Sequence, residues 1–415
     1  MMIAAPPALA PDLLSTGAIR ERCANVTAAV EAGYSRHFRI DRGRLQPAAR
    51  IVAEITRRRY PDLAIPYHSR WRHFDAGGFG RASELNRQLA CYDVTERLRS
   101  QIDLAVVSVL LDAGAGATWR YREPGMIDDY ERSEGLAIAS FRAFMSGAWS
   151  ASPGEPLRVD AAALTEIDAA TLGQWFQVTE RNPLVGLEGR AALLRRLGDV
   201  LETRPDRFGL TARPAALFDR MLGAPTISAS SIFRAILDGF GGIWRTSWSS
   251  ADAIEAPGHE DSAMPGDVWR HRCAGGTGAA KGFVPFHKLS QWLAYSLFEP
   301  FEWAGMTVTD RDALTALPEY RNGGLLIDSG VLRLVDDADR ATVWDVGSDI
   351  VVEWRALTVT LLDDLAQGVR AELDRPQLPL ACILEGGTWA AGRELAARLR
   401  KGEPPLAVRS DGTVF

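Results

Sequence analysis

The sequence lacks several features that assign a chain to a common class of protein. Its 415 residues include only four cysteines, and no two of them form a CxxC pair. This spacing disfavours a thiolate zinc site and a disulfide framework, so we predict a reducing, cytoplasmic environment. Runs of about 18 apolar residues are also missing, and we therefore expect no membrane partner.

An excess of positive charge is absent as well. The chain has 47 Lys and Arg against 53 Asp and Glu, which gives a formal net charge of -6. A protein of this charge has no overall basic field that attracts nucleic acid or anionic lipid. We expect no nucleic-acid partner and predict a small-molecule substrate, with positive charge gathered locally to bind it.

Apolar spacing predicts a mainly α fold with minor β structure. Apolar residues recur three and four apart, as in amphipathic helices, from Ala18 to about Tyr60 and in residues 82–116, 133–147, 188–205, 287–303 and 350–374. Strand patterns are confined to residues 326–336 and to 406–415, where Asp411-Gly412 is a turn signal.

One long stretch between the helical regions has the composition of a connection. Residues 249–282 are rich in Ser, Ala, Gly and Pro, which is typical of a loop that joins two parts of an enzyme. We therefore predict a helical N-terminal lobe at 1–248, a connecting loop at 249–282 and a C-terminal lobe at 283–415.

The stretch "VPFHKLSQW" places His287, Lys288 and Gln291 at the start of a predicted helix. Spacings of four and three put Lys288, Trp292 and Tyr295 on one helix face, which would give a sugar a charged anchor and an aromatic wall. The alternative is an ordinary helix start whose polar residues face solvent.

Two further motifs combine an acidic and a basic residue. In "LPEYRNGG", Glu319 and Arg321 lie at a predicted helix-to-helix turn, where an apolar surround can raise the basicity of a carboxylate. A helix cap is the alternative for Glu319. In "VVEWR", Glu353 and Arg355 lie in an apolar helix and need partners, either in a structural ion pair that crosses between helices or in a substrate.

The stretch "PYHSRWRHF" carries two arginines beside a tryptophan. Arg70 and Arg72 could clamp a phosphate or carboxylate by paired hydrogen bonds, or the segment could be a solvated turn held by Trp71. His68 and His73 are five apart, a spacing that does not form a metal pair on one helix face.

Two glycine-bearing stretches leave similar alternatives open. "LLDAGAGATWRY" is typical of a helix C-cap, but Asp112 and its glycines could also approach a ligand. "LEGGTWAAGRE" places Glu385 before a Gly pair that is either a plain loop or a source of free amides for an anion.

Taken together, these stretches resemble the family of the fourth protein of the uracil catabolism pathway, found in fungi and bacteria. The resemblance runs from about Pro11 to Phe415. It implies a role in uracil breakdown, in which the pyrimidine ring is opened and urea is later released from a ribosylurea-type intermediate.

The C-terminal half also resembles queuosine nucleotide N-glycosylases, which are helical relatives of DNA glycosylases. This resemblance implies a DNA-glycosylase-like C-terminal lobe that needs no metal and no cofactor. The acidic residue of that family is Asp, whereas Glu stands here. The matching residues are Phe286, Lys288, Gln291, Glu319, Tyr320, Arg321, Glu353 and Arg355.

The resemblances imply an N-glycosidase of ribosylurea or its 5'-phosphate. Glu319 would be the catalytic carboxylate, Lys288 would bind the phosphate or sugar with help from Arg70 or Arg72, and His287 would donate to the leaving urea. Two alternatives stay open: a non-catalytic ligand-binding protein, and a metal-dependent amidohydrolase that uses some of His68, His73, His271 and His287.

Overall fold

The computed structural model describes residues 11–244 and 266–409 of the chain. The structure is 59% helical with short strands, which confirms the predicted fold class. None of the helices in these two ranges combines the length and the apolar character that a membrane crossing requires. The predicted Asp411-Gly412 turn and residues 249–265 lie outside the described residues.

The α-helices are numbered in chain order over the described ranges. They are Thr16–Glu31 (α1), Leu45–Arg59 (α2), Arg70–Phe74 (α3), Arg81–Gln88 (α4), Val94–Leu110 (α5), Arg132–Met145 (α6), Ala161–Thr165 (α7), Ala169–Trp175 (α8), Leu187–Thr203 (α9), Pro205–Phe208 (α10), Ala229–Phe240 (α11), Lys288–Trp303 (α12), Tyr320–Asp328 (α13), Asp349–Leu373 (α14), Leu380–Ile383 (α15) and Trp389–Arg400 (α16).

The strands are three residues long and pair two by two. Antiparallel pairs join Phe38–Ile40 (β1) to Leu332–Leu334 (β8), Arg120–Arg122 (β2) to Asp129–Glu131 (β3), and Val268–Arg270 (β5) to Phe283–Pro285 (β6). Parallel pairs join Thr226–Ser228 (β4) to Thr307–Thr309 (β7), and Val343–Asp345 (β9) to Ala407–Arg409 (β10).

Helices α5 and α12 pack against each other, and most of their residues are buried. Asp93 starts α5 by accepting a hydrogen bond from the N–H of Glu96 at 2.8 Å, which satisfies a backbone donor that the helix itself cannot. In α12 every residue from Leu289 to Phe301 is buried. Its buried polar residues, such as Gln291, hydrogen-bond to neighbouring segments, so α12 can lie inside the core.

The two ends of the chain pack against each other. Helices α1 and α2 lie on α14, and strand β1 pairs with β8. A continuous cluster of buried apolar side chains extends from Ile19 to Leu406 and so includes residues of both predicted lobes. Part of the predicted connection forms a strand, since β5 at Val268–Arg270 pairs with β6.

Four local predictions differ from the structure. The helical pattern of residues 82–116 is divided after Gln88, because Tyr92 and Asp93 are extended before α5 begins. The helical pattern from Ala18 to Tyr60 is divided by strand β1, because the Ser35 hydroxyl accepts the N–H groups of His37 and Phe38 and turns the chain out of a helix. Only Leu332–Leu334 of the predicted strand 326–336 is extended. The segment before Pro318 contains a 3-10 turn at Arg311–Ala313 in place of the expected helix.

Helices α13 and α16 approach each other closely at Gly392. A Cβ atom on Gly392 would lie 2.1 Å from the backbone oxygen of Arg321, so no side chain fits between the two helices. This contact brings Tyr320, at the start of α13, and Trp389, at the start of α16, to the walls of one cleft.

Candidate active site

The chain folds around a cleft of about 270 Å³, here called the central cleft. This volume suits a small molecule the size of a nucleoside fragment. Segments from distant parts of the sequence line this cleft. The lining residues are His68, His73, residues 112–117, Arg132, Ser133, Lys288, Leu289, Trp292, Leu317, Glu319, Tyr320, Trp389, Glu403, Pro404, Leu406 and Val408.

Lys288 enters the cleft from the first turn of α12. Its backbone N–H donates to Oδ2 of Asp267 at 3.0 Å, and Asp267 is held by two hydrogen bonds from Arg355, at 2.8 and 2.6 Å. Burial, followed by the positive charge of Arg355, lowers the pKa of the Lys288 amine, while the carboxylates of Glu319 and Asp112 act in the opposite direction.

Glu319 lines the cleft and also caps α13. Its two carboxylate oxygens accept the backbone N–H groups of Arg321 and Asn322, each at 2.6 Å. Burial raises the pKa of the Glu319 carboxyl group, although these two hydrogen bonds and the Lys288 charge oppose the shift. The predicted cap and the predicted site residue are therefore one and the same side chain.

Asp112 provides a second carboxylate at the end of α5. Arg70 forms an ion pair with it at 3.0 Å, and the indole N–H of Trp292 donates to it at 3.2 Å. Burial acts to raise the pKa of Asp112, but the positive charge of Arg70 and other neighbours outweigh it and hold that pKa below its ordinary value. Asp112 is thus kept ionised beside Lys288.

Aromatic rings form one wall of the cleft. The ring of His68 lies 4.7 Å from that of Trp292 and 6.3 Å from that of Trp389, measured between centroids. His73 lies 5.7 and 6.2 Å from the same two indoles. Burial and the adjacent Arg70 lower the pKa of His73, so this ring is neutral at neutral pH.

His68 makes a buried pair with Glu385 that connects sequence positions 317 residues apart. The His68 Nδ1 lies 2.9 Å from Oε2 of Glu385, which belongs to the π-helical turn Leu384–Thr388. Burial acts to raise the pKa of Glu385, but His68 and Arg59 outweigh it and lower that pKa to about 2. The motif "LEGGTW" therefore anchors a histidine of the cleft.

Three of the predicted site residues line the central cleft: Glu319, Lys288 and Trp292. Five others lie behind its walls and hold them in place. Gln291 and Tyr295 on α12 bond to Thr315, Arg355 donates to the backbone oxygen of Pro318 at 3.3 Å, Arg321 donates to Gly402, and Arg70 pairs with Asp112.

The remaining three predicted site residues lie away from the lining. His287 has a left-handed backbone with φ of 46°, and its ring bonds to the backbone oxygen of Leu13. Arg72 pairs with Glu299, and Glu353 bonds to Ser35 and lies near His271. Neither Arg70 nor Arg72 therefore lines the cleft, contrary to our prediction that one of them would.

The four histidines of the amidohydrolase alternative are dispersed. His68 and His73 share the cleft, His287 bonds to Leu13, and His271 lies 3.4 Å from Glu353. Across the described ranges, no group of three or more His, Cys, Asp or Glu side chains has an arrangement suited to a metal ion.

Fold and cleft together define a helical protein with a charged cleft of small-molecule size. A family model described as "Protein of unknown function (DUF1688)" matches residues 12–415, and the chain belongs to this family. The chain is 38% identical over 440 residues to "Uracil catabolism protein 4" of Lachancea kluyveri, a match that covers 97% of this chain and 98% of the relative.

A second relative is equally similar. The chain is 38% identical over 417 residues to "Protein urg3" of Schizosaccharomyces pombe, with 97% of this chain and 98% of the relative covered. These relatives confirm the predicted resemblance to the family of the fourth uracil catabolism protein. The resemblance to queuosine nucleotide glycosylases stays a prediction.

Proposed function

We propose that this protein is a uracil catabolism enzyme, an N-glycosidase that hydrolyses ribosylurea or its 5'-phosphate to urea and the sugar. The pathway is supported by the similarity to a relative named uracil catabolism protein 4. The reaction is supported by one observation above all: Glu319 and Lys288 line the same cleft.

The cleft contains the groups that this reaction needs. Cleavage of an N-ribosyl bond passes through a state with positive charge on the sugar, which a nearby carboxylate stabilises. Glu319 takes this role and accepts a proton from the water that attacks C1'. Its raised pKa suits proton uptake, because a base works best when its pKa approaches the working pH.

The other lining residues bind the substrate. Lys288 binds the 5'-phosphate or a sugar hydroxyl, and the ionised Asp112 accepts hydrogen bonds from sugar hydroxyls. The indoles of Trp292 and Trp389 provide flat apolar surfaces for the sugar ring. Arg355 acts indirectly, since it fixes both Asp267, which caps Lys288, and the carbonyl that precedes Glu319.

The test measures release of urea and free sugar from ribosylurea and from its 5'-phosphate. Glu319→Gln keeps the size of the side chain but removes its charge, so turnover should fall about a hundredfold while the substrate still binds. Lys288→Ala should weaken binding, with the larger loss for the phosphorylated substrate.

Glu353→Gln is the matched control, because Glu353 is also buried but bonds to Ser35, away from the cleft. Its turnover per folded molecule should equal that of the wild type. Full activity of Glu319→Gln would refute the proposed role. Release of ammonia without free sugar, abolished by a chelator, would establish the amidohydrolase alternative, and ligand binding without turnover would establish a binding protein.

A further inference from the structure

His68 faces the central cleft with one ring nitrogen already bonded. Its Nδ1 lies 2.9 Å from Oε2 of Glu385, while its Nε2 makes no hydrogen bond to any residue of the two described ranges. A carboxylate that holds one nitrogen of an imidazole fixes the tautomer and orientation of the ring. The other nitrogen then has a defined direction for proton transfer.

The carboxylate behind His68 is itself held rigidly. Oε1 of Glu385 accepts hydrogen bonds from Nη2 of Arg59 at 2.9 Å and from the hydroxyl of Tyr60 at 3.0 Å. The following backbone touches α2 so closely that a Cβ on Gly387 would lie 2.5 Å from the oxygen of Val52. The backbone that follows Glu385 is therefore packed tightly against α2, while Arg59 and Tyr60 hold the carboxylate itself.

The ring of His68 also lines the cleft that contains the other reactive groups. Its centroid lies 4.7 Å from that of Trp292 and 6.3 Å from that of Trp389, and the cleft of 270 Å³ is also lined by Glu319 and Lys288. A substrate bound in so small a space is within reach of both the carboxylate and the imidazole. His287, the donor expected from the sequence, has no such access because its ring bonds to Leu13.

We propose that His68 is the proton donor to the leaving urea and that Glu385 is its positioning residue, an assignment that rests on the proposed glycosidase function. As the C1'–N bond breaks, its electron pair remains on the urea nitrogen, and protonated His68 gives the Nε2 proton to urea. Water adds to C1' and gives one proton to Glu319. Exchange with solvent returns a proton from Glu319 to His68, so the net reaction consumes one water.

The decisive experiment compares leaving groups. Nitrophenolate departs without a proton, whereas urea needs one, so loss of a proton donor should affect only the second. His68→Gln should slow hydrolysis of ribosylurea about 10²- to 10⁴-fold and leave that of 4-nitrophenyl β-ribofuranoside within about threefold of the wild type. Glu319→Gln should slow both substrates.

A second readout tests Glu385 through the pH profile on ribosylurea. Replacing its charge makes the protonated ring less stable, so Glu385→Gln should move the basic limb of the profile to lower pH, which a purely structural role would not do. His37→Gln, a histidine change outside the cleft lining, should leave the profile unchanged, and thermal melts verify that each variant is folded.

The outcomes separate the two proposals. A wild type that cleaves neither substrate overturns the glycosidase function and this assignment with it. A wild type that cleaves ribosylurea and depends on Glu319 but not on His68 overturns only the assignment. Equal losses on both substrates in His68→Gln, with an unmoved pH limb in Glu385→Gln, would reduce His68 to a packing residue.

Discussion

Glu319 and Glu385 both stand beside the central cleft, yet their surroundings shift the pKa of the two carboxyl groups in opposite directions. Glu319 accepts hydrogen bonds from two neutral backbone N–H groups, and its pKa is raised by burial. Glu385 faces His68, Arg59 and Tyr60, and its pKa is lowered to about 2 because His68 and Arg59 outweigh its burial.

The difference shows how one cleft obtains carboxylates for separate tasks. Charged partners fix a carboxylate in its ionised form, which suits a residue that orients another group. Neutral donors in a buried place leave a carboxylate able to gain and lose a proton near the working pH. Glu385 has charged partners, as its proposed role of orienting His68 requires. Glu319 has neutral donors, as its proposed role of accepting a proton requires.

The largest expected effect on folding comes from Glu385→Gln. The change leaves His68 and Arg59 without their charged partner, so the free energy of unfolding should fall by about 3 kcal/mol at pH 7. The pKa of Glu385 is about 2 when folded and 4.5 ordinarily, so its contribution is full above pH 4.5 and disappears as the pH falls toward 2. Urea denaturation of both proteins from pH 7 to pH 3 measures this difference.

A difference between wild type and variant that stays constant across this pH range would contradict the assigned charge state of Glu385. Glu394→Gln is a suitable control, since Glu394 pairs with Arg58 at an exposed position. Exposed pairs contribute little, and its effect should stay below about 1 kcal/mol.

Glu319→Gln should give a smaller change with the opposite dependence on pH. Because the folded pKa of Glu319 is raised above 4.5, the unfolded chain gives up this proton first, and stability falls as the pH rises from the ordinary pKa to the folded one. The variant should therefore gain stability relative to the wild type between pH 4 and pH 8, by about 1.4 kcal/mol for each unit of pKa difference. Thermal melts across this range check the sign, and a relative loss would contradict it.

Tyr60→Phe should have the smallest effect. It removes a single hydrogen bond of 3.0 Å to Glu385 while His68 and Arg59 stay in place. Burial, followed by the nearby Glu385, raises the pKa of Tyr60 to about 12, so its hydroxyl remains a donor at working pH. We expect a loss of about 0.5–1 kcal/mol in urea denaturation, with turnover unchanged. If Tyr60→Phe lowered the free energy of unfolding as much as Glu385→Gln does, the Tyr60 hydroxyl would be essential for holding Glu385, contrary to this prediction.

Sequence periodicity predicted the elements that carry the cleft, because α12 and α14 have long apolar patterns with the helical repeat. The sequence also put Lys288 and Trp292 on α12 and gave a helix cap as the alternative for Glu319, which is where the structure has these residues. Glu353 and Arg355 show its limit. Side chains two residues apart on a helix point in directions about 200° apart. Glu353 therefore faces Ser35 whereas Arg355 faces Asp267, and the two do not share a site.

The contact between His68 and Glu385 could not be predicted from the sequence, for a different reason. Both stretches stand out in the sequence, but their residues meet only once α2, α3 and the π-helical turn have packed together. The ring of His287 does not line the cleft, because the backbone of this residue is left-handed and the ring bonds to Leu13 instead. Spacing along a chain predicts neighbours on one element and does not predict contacts between elements.

The pairing of the chain ends has a consequence for how the protein is made. Helices α1 and α2 leave the ribosome first, but the surface they pack against, α14, begins only at Asp349. At about 5–20 residues per second, translation takes about 15–60 s to reach it after α2 is complete. During that time Val52 and its apolar neighbours on α2 lack their native cover. Fragments that end before Asp349 should therefore aggregate, and a chaperone that shields α2 should raise the yield of the full chain.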